Sequence, residues 1–189
     1  MVRVFAAVDI DGRLRNELAR LQERLRASLS SRGGLKWVRP ENIHITLKFL
    51  GSVNDDETGL LCRSAERAAA SHKAFELSIE SLGVFTAKKP RVLWVGTGQN
   101  TNSLIELHNS LETALALEGW PKDDRRFSGH LTLCRIRKPA AGRLLVKQIG
   151  DYRDFELPSV RVDSITVYRS ELTSTGPVYT ALGKYGLRT

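Results

Sequence analysis

Apolar and polar positions recur along this chain at spacings that predict its elements. Residues 2–10 (VRVFAAVDI) are a short continuous apolar run, as expected of a buried strand. Asp11 is placed to cap a helix, and Leu14, Leu18, Leu21, Leu25 and Leu29 then return every three or four residues. That is one apolar stripe on a helix of roughly five turns, packed on a sheet and ended by Gly33-Gly34. A turn at Arg39-Pro40 leads into an apolar strand that Gly51 closes. A second helix is expected from a cap at Asn54 or Asp55 to about His72, carrying Leu60, Leu61, Ala65, Ala68 and Ala69. Residues 75–82 alternate as one half-buried strand, and Pro90 precedes another, RVLWVGTG. A third helix runs from Asn102 to Leu117 with Leu104, Leu107, Leu111 and Leu115 on one face and Gly119 as its stop. His108 lies off that stripe and is expected at the surface. A basic loop, WPKDDRRFSG, delivers the next strand, and a short helix follows over Pro139–Ile149 around Leu144, Leu145 and Ile149. Residues 160–172 and 177–187 close the chain as a hairpin around Ser174-Thr175-Gly176.

Within this pattern one phrase occurs twice. Residues 44–47 read His-Ile-Thr-Leu, inside WVRPENIHITLKFLG, and residues 130–133 read His-Leu-Thr-Leu, inside FSGHLTLCRI. In a strand, residues two apart share a face. His44 and Thr46 therefore point one way, with Ile43, Ile45, Leu47 and Phe49 pointing to the core. His130 and Thr132 likewise oppose Leu131 and Leu133. Each copy follows a long helix and opens a strand, so the chain reads as two related lobes. The expected fold is α+β: bilobal, two pseudo-symmetric antiparallel-sheet lobes with helices on the outer faces and a central cleft. Residues 1–189 form one domain of two intertwined lobes, since no linker or low-complexity segment divides them.

Bulk properties narrow the setting. A composition 41% hydrophobic and 26% charged excludes disorder. No apolar run approaches the ~18 residues of a membrane span, and residues 1–13 lack a signal-peptide pattern. Two cysteines, Cys62 and Cys134, make neither a disulfide framework nor a zinc spacing, which points to the cytoplasm. The formal net charge of +8 favours a polyanionic partner, nucleic acid being the commonest, against the plainer alternative of a solvated surface.

Two histidines and two hydroxyls on facing strands suit displacement at phosphorus. Imidazole exchanges a proton near neutrality, its unperturbed pKa being about 6.5. One histidine can take a proton from the attacking oxygen while the other protonates the leaving oxygen. The threonines can hydrogen-bond the non-bridging phosphate oxygens. Metal binding would need a third ligand, and neither motif offers a carboxylate on the histidine's face; no metal and no cofactor are expected. No G-x-S-x-G nucleophile elbow occurs. By parity Cys134 falls on the histidine's face, although in an apolar strand it reads more simply as a small packing residue.

The paired H-x-T-L motifs resemble the two-histidine (2H) phosphoesterase superfamily. Within it, R-P-E-N-I-H-I-T-L-K-F-L-G and FSGHLTLCRI are most similar to the bacterial and archaeal RNA 2',3'-cyclic phosphodiesterases, long called 2'-5' RNA ligases. The likeness spans almost the whole chain, from FAAVDI to the closing strands. It implies a bilobal fold, metal-independent hydrolysis of a 2',3'-cyclic phosphate to a 2'-phosphate, and weak reversible 2'-5' ligation. It implies His44 as proton donor to the 3'-oxygen, His130 as proton acceptor from water, and Thr46 and Thr132 as phosphate ligands. The basic residue that the family carries after its second motif matches Arg135, although strict alternation turns Arg135 away from His130, so a bulge or twist is required there. Gly129 stands where the family commonly has proline. The implied partners are RNA ends or small cyclic nucleotides, with no membrane and no obligate protein partner, and a monomer is expected. Lys122, Arg125, Arg126, Arg137 and Lys138 could form a basic rim for RNA. Trp37 or Phe127 could stack on a base, although core anchoring explains each more simply. A non-catalytic nucleotide-binding module in the same cleft remains the rival reading. Another substrate, such as a 2'-5' oligoadenylate or an ADP-ribose cyclic phosphate, is also open.

Overall fold

The computed structural model of the chain describes residues 1–29, 33–150, 152, 157–174 and 176–189. Its elements, in chain order, are β1 (Val2–Val8), α1 (Gly12–Ala27), β2 (Leu35–Trp37), β3 (Ile45–Val53), α2 (Thr58–Ala70), β4 (Phe75–Leu77) and β5 (Ile79–Val84). They continue as β6 (Val92–Thr97), α3 (Thr101–Leu117), β7 (His130–Ile136), α4 (Pro139–Ile149), β8 (Val160–Val162), β9 (Ser164–Thr173) and β10 (Gly176–Gly186). The expected Thr175 of the closing turn lies outside the described residues.

One antiparallel sheet of eight strands runs β10-β9-β1-β3-β7-β6-β5, with β2 added to β7. It is two half-sheets joined at its middle. β1 and β3 share an extended register, as do β6 and β7, whereas β3 and β7 meet at the single pair Ile45↔Leu131. The strands then splay, β2 taking the rest of that edge of β7. A pseudo-two-fold axis through this pair exchanges β3 with β7, β1 with β6 and β9 with β5, so the bilobal α+β expectation holds. The lobes interleave: β5 follows the first motif but lies in the second lobe, and β9 follows the second motif but lies in the first.

The helices cover the apolar face. Asp11 caps α1 through a 2.7 Å hydrogen bond from the Leu14 N–H, and Leu14, Leu18, Leu21 and Leu25 are fully buried. Each such leucine contributes roughly 2 kcal/mol by leaving water. The helix ends at Ala27, before Gly33-Gly34, and Leu29 is buried just beyond it. On α3, Leu104, Leu107, Leu111 and Leu115 are buried as their spacing requires. Asn54 and Glu57 make a reciprocal capping box ahead of α2.

Several boundaries differ from the pattern. Gly51 does not close β3; it turns with φ +75°, and the strand continues to Val53. Residues 75–82 divide at Ser78. β4 leaves to pair with β8, while β5 carries a bulge at Ser81, whose φ is +62°. Residues 160–172 divide likewise at Asp163. Alternation alone hid these breaks, because both pieces keep a period of two. No described helix is long and apolar enough to cross a membrane.

Candidate active site

Both motif strands carry a bulge directly after their H-x-T. In β3, Thr46 pairs with Ala7 and Lys48 with Ala6, leaving Leu47 as an extra residue. In β7, Thr132 pairs with Trp94 and Cys134 with Leu93, leaving Leu133 as the extra one. An inserted residue resets the alternation. The consequence in β3 is that Lys48 turns inward, 4% exposed, and Phe49 turns out, 63% exposed, contrary to its expected place in the core. In β7, Cys134 turns into the core and Arg135 comes round to the face of His130 and Thr132. Of the bulge or twist needed to bring Arg135 to that face, the strand has a bulge.

Each bulge is held by a helix drawn from the other half of the sequence. The Leu133 carbonyl accepts from Gln22 Nε2 on α1 at 2.9 Å and from the Val38 N–H at 2.9 Å. The Leu47 carbonyl accepts from His108 Nδ1 on α3 at 3.0 Å. Gln22 and His108 are 2% and 6% exposed, so each places a polar group under the sheet where a freed carbonyl needs one. His108 is therefore buried rather than at the surface. Phe127 stacks on its ring, with centroids 4.2 Å apart.

On the cleft face the motifs come together. Continuing the antiparallel register from Ile45↔Leu131 sets His44 level with Thr132 and Thr46 level with His130. His44 Nδ1–H donates to the Asn42 carbonyl at 2.9 Å, and His130 Nδ1–H to the Ser128 carbonyl at 2.7 Å. The same carbonyl, two residues back, thus fixes each tautomer and leaves each Nε2 for chemistry. The Thr46 hydroxyl donates to His44 Nε2 at 3.1 Å.

The surroundings differ. Phe5 stacks on His44 at 4.8 Å, Tyr179 meets its edge at 5.5 Å, and Tyr168 stacks behind Phe5. A cavity of about 430 Å³ beside His44 is lined by Asp9, Arg15, Glu41, Asn42, Ile43, Tyr168 and Tyr179. Asp9 is held by the Tyr168 and Thr166 hydroxyls, each at 2.7 Å. His130 has instead the edge of Phe85, at 4.8 Å, and Phe85 is 53% exposed.

Burial dominates both imidazoles and favours their neutral forms. It lowers His44 from 6.5 to about 4; the Asn42 carbonyl and the Asp9 carboxylate oppose this, and Arg135 and His130 add to it. Burial also lowers His130, with the Ser128 carbonyl opposing and Arg135 adding. Arg135 thus acts on both histidines from one side of the cleft. Burial pushes the Cys134 thiol up to about 12, which leaves it a packing residue and no nucleophile.

Lys48 ties the first motif to the loop that delivers the second. Its Nζ lies 2.7 Å from Glu112 and donates to Asp123 at 2.8 Å and to the Pro121 carbonyl at 2.9 Å. Burial alone would lower this ammonium, but the hydrogen bonds to Asp123 and Glu112 outweigh it and raise its pKa.

Other expected contributors lie elsewhere. Trp37, on β2, shares the face of its β7 partner Cys134, away from the cleft, with the Arg26 guanidinium 5.0 Å over its ring. Phe127 is occupied by His108. Both aromatics are packing residues, and the cleft's aromatic walls are Phe5, Phe49, Phe85, Trp94, Tyr168 and Tyr179. The bulges, which no alternation rule announces, hid Phe49; Tyr168 and Tyr179 followed the expected strands but no motif marked them. The basic rim divides: Lys122, Arg125 and Arg126 lie before His130, and Arg137 and Lys138 lie past the far end of β7, roughly 23 Å along a strand of this length. Among the described residues no group of three His, Cys, Asp or Glu side chains is arranged to hold a metal ion.

A split sheet with a doubled motif defines a phosphoesterase class. The family model described as LigT like Phosphoesterase matches the chain twice, at residues 8–94 and 95–179, and the chain belongs to this family. It is 34% identical over 187 residues to a protein of Methanothermobacter thermautotrophicus called RNA 2',3'-cyclic phosphodiesterase, covering 98% of this chain and 99% of that one. Its fold is similar to the crystal structure of TT0787 of Thermus thermophilus, with TM-score 0.78, 28% identity and 98% of each chain covered. It is also similar to E. coli LigT complexed with 3'-AMP, with TM-score 0.77, 26% identity, and 100% and 99% of the two chains covered.

Proposed function

We propose that this phosphoesterase hydrolyses 2',3'-cyclic phosphate ends of RNA to 2'-phosphates, with His44 as general acid and His130 as general base. The observation that carries the reading is the pair of Nε2 atoms presented on one face by identically locked rings about Ile45↔Leu131. His130 takes a proton from water as the water oxygen bonds to phosphorus. The P–O3' bond breaks in line, and His44 gives its proton to O3'. The product carries a 2'-phosphate and a free 3'-hydroxyl. Thr46 and Thr132 hold the non-bridging oxygens, and Arg135 offsets their charge.

Both rings rest neutral, so His44 must gain its proton with substrate. The entering phosphodiester anion, together with Asp9, favours the imidazolium there. With a 5'-hydroxyl in place of water, the same displacement forms a 2'-5' linkage, and its reverse opens one. The relatives called RNA 2',3'-cyclic phosphodiesterase support this substrate class.

The test is incubation, in excess EDTA, with a short RNA ending in a 2',3'-cyclic phosphate, beside His44→Ala and His130→Ala proteins. A 2'-phosphate made by the wild type alone is the expected result. A 3'-phosphate would reverse the choice of leaving oxygen, and tight RNA binding without turnover would make the cleft a binding module.

A further inference from the structure

The net charge of +8 is unevenly placed. No Asp or Glu occurs in residues 33–40, 81–105 or 125–150. The topology gathers parts of these three segments at one place, the end of β7 remote from His130. Lys36 on β2 is the register partner of Arg135 on one side, and Val92 of β6 on the other. Beyond them the Ile136 N–H donates to the Arg91 carbonyl at 2.8 Å, and the Arg137 N–H to the Gly34 carbonyl at 2.7 Å. Gly34 has φ +90°, and a Cβ there would lie 2.5 Å from the Cβ of Lys138, so the lysine stem crosses the sheet end directly over it.

Lys36, Lys89, Arg91, Arg135, Arg137 and Lys138 are all exposed at this end. None of them makes an ion pair with a described carboxylate. Gathered like charges repel one another and disfavour the compact state unless an anion lies across them. By register and alternation, Lys36 and Arg137 share the face of Arg135, and hence of the two histidines. The positive track is therefore continuous with the cleft.

We propose that this end of the second lobe is a docking surface for the sugar–phosphate backbone of single-stranded RNA leading away from the reacting end. The inference rests on the phosphodiesterase reading and sharpens its substrate: ends of RNA chains several nucleotides long are preferred over free cyclic mononucleotides.

The experiment compares kcat/KM for a 2',3'-cyclic mononucleotide and for a six-nucleotide RNA with the same terminus, in wild type and in the K36E/R137E/K138E protein. In 50 mM salt, wild type is expected to prefer the RNA by at least about twentyfold. With three phosphates neutralised, that preference falls roughly twenty-fold between 50 and 200 mM salt. The triple variant loses the preference while turning over the mononucleotide as wild type does. Equal kcat/KM for both substrates in wild type, or an undiminished preference in the variant, would overturn the docking surface and leave the phosphodiesterase intact. If neither substrate is turned over, the phosphodiesterase reading fails first, and binding of the same RNA with a blocked 3'-end decides the surface: equal affinity in both proteins overturns it. Loss of binding to anionic phospholipid vesicles, with RNA kinetics unchanged, would assign the surface to a membrane and also overturn the proposal.

Discussion

The two H-x-T-L strands are the same device built twice, and the neighbours of each make them unequal. Both rings donate Nδ1–H to the carbonyl two residues back, and both strands bulge at the leucine that follows the threonine. Past the bulge the halves diverge. The cleft side receives Phe49 in one and Arg135 in the other, and the core side receives Lys48 and Cys134. His44 is roofed by Phe5 and Tyr179 and feels Asp9, whereas the charge acting on His130 is Arg135. The doubled motif supplies two equivalently held imidazoles, and a few different neighbours give them unlike surroundings, as the proposed division into acid and base requires.

Replacing the two imidazoles should cost most. His44→Gln and His130→Gln should each lower kcat/KM by about 10²- to 10⁴-fold, measured on a cyclic-phosphate RNA. The two should part company in stability. Because folding lowers the His44 pKa from 6.5 to about 4, the unfolded chain binds a proton there that the folded protein refuses. That contribution is complete above pH 6.5 and is lost as pH falls from 6.5 towards about 4. His44→Gln should flatten the fall of Tm over this window more than His130→Gln does, and equal slopes would contradict the difference in enclosure.

Arg135→Ala tests the charged side of the cleft. Loss of a charge-assisted contact worth about 1.5–3 kcal/mol should reduce kcat/KM some ten- to hundredfold. Phe49→Ala, at the equivalent position, should do much less; parity between the two would deny Arg135 its place at the phosphate.

Gln22→Leu and His108→Leu probe the bulges from beneath. Each removes a buried donor, at about 1–3 kcal/mol, and Tm should drop by roughly 2–4 °C per kcal/mol. Gln22→Leu should also weaken turnover through Arg135, so its effect on kcat/KM should shrink in an Arg135→Ala background. Strict additivity would mean that Gln22 matters only for stability.

The smallest effect is expected from Asp9→Asn. Asp9 holds the His44 pKa up, so its removal lowers that pKa further. The limb of the pH–rate profile that requires protonated His44 should move to lower pH, with a few-fold loss near neutrality. A shift to higher pH would exclude the assigned sign.

Much of this was legible beforehand because the relevant physics is local. The leucine stripes of α1 and α3, the Asp11 cap and the His/Thr face need only neighbours three or four residues apart at most. The parity of Cys134, Arg135, Lys48 and Phe49 was not fixed by alternation, since one inserted residue reverses it and bulges are specified by distant donors. Gln22 lies 111 residues from the carbonyl it holds, and His108 lies 61 from its own. The face of Arg135 was anticipated only through family resemblance, since strict alternation turned it away from His130. His108 was misplaced by the leucine stripe, which marks the middle of a buried face and not its polar margin.

The lone pair Ile45↔Leu131 makes the middle of this sheet a hinge rather than a seam. Along β1 and β3 seven backbone pairs share any load, while between the lobes one pair does. Beside that pair, the Lys48 contacts with Glu112, Asp123 and the Pro121 carbonyl tie β3 to the loop before His130. The two imidazoles ride on opposite leaves of that hinge. Their relative placement therefore rests on that one backbone pair and the Lys48 tether rather than on a shared ladder.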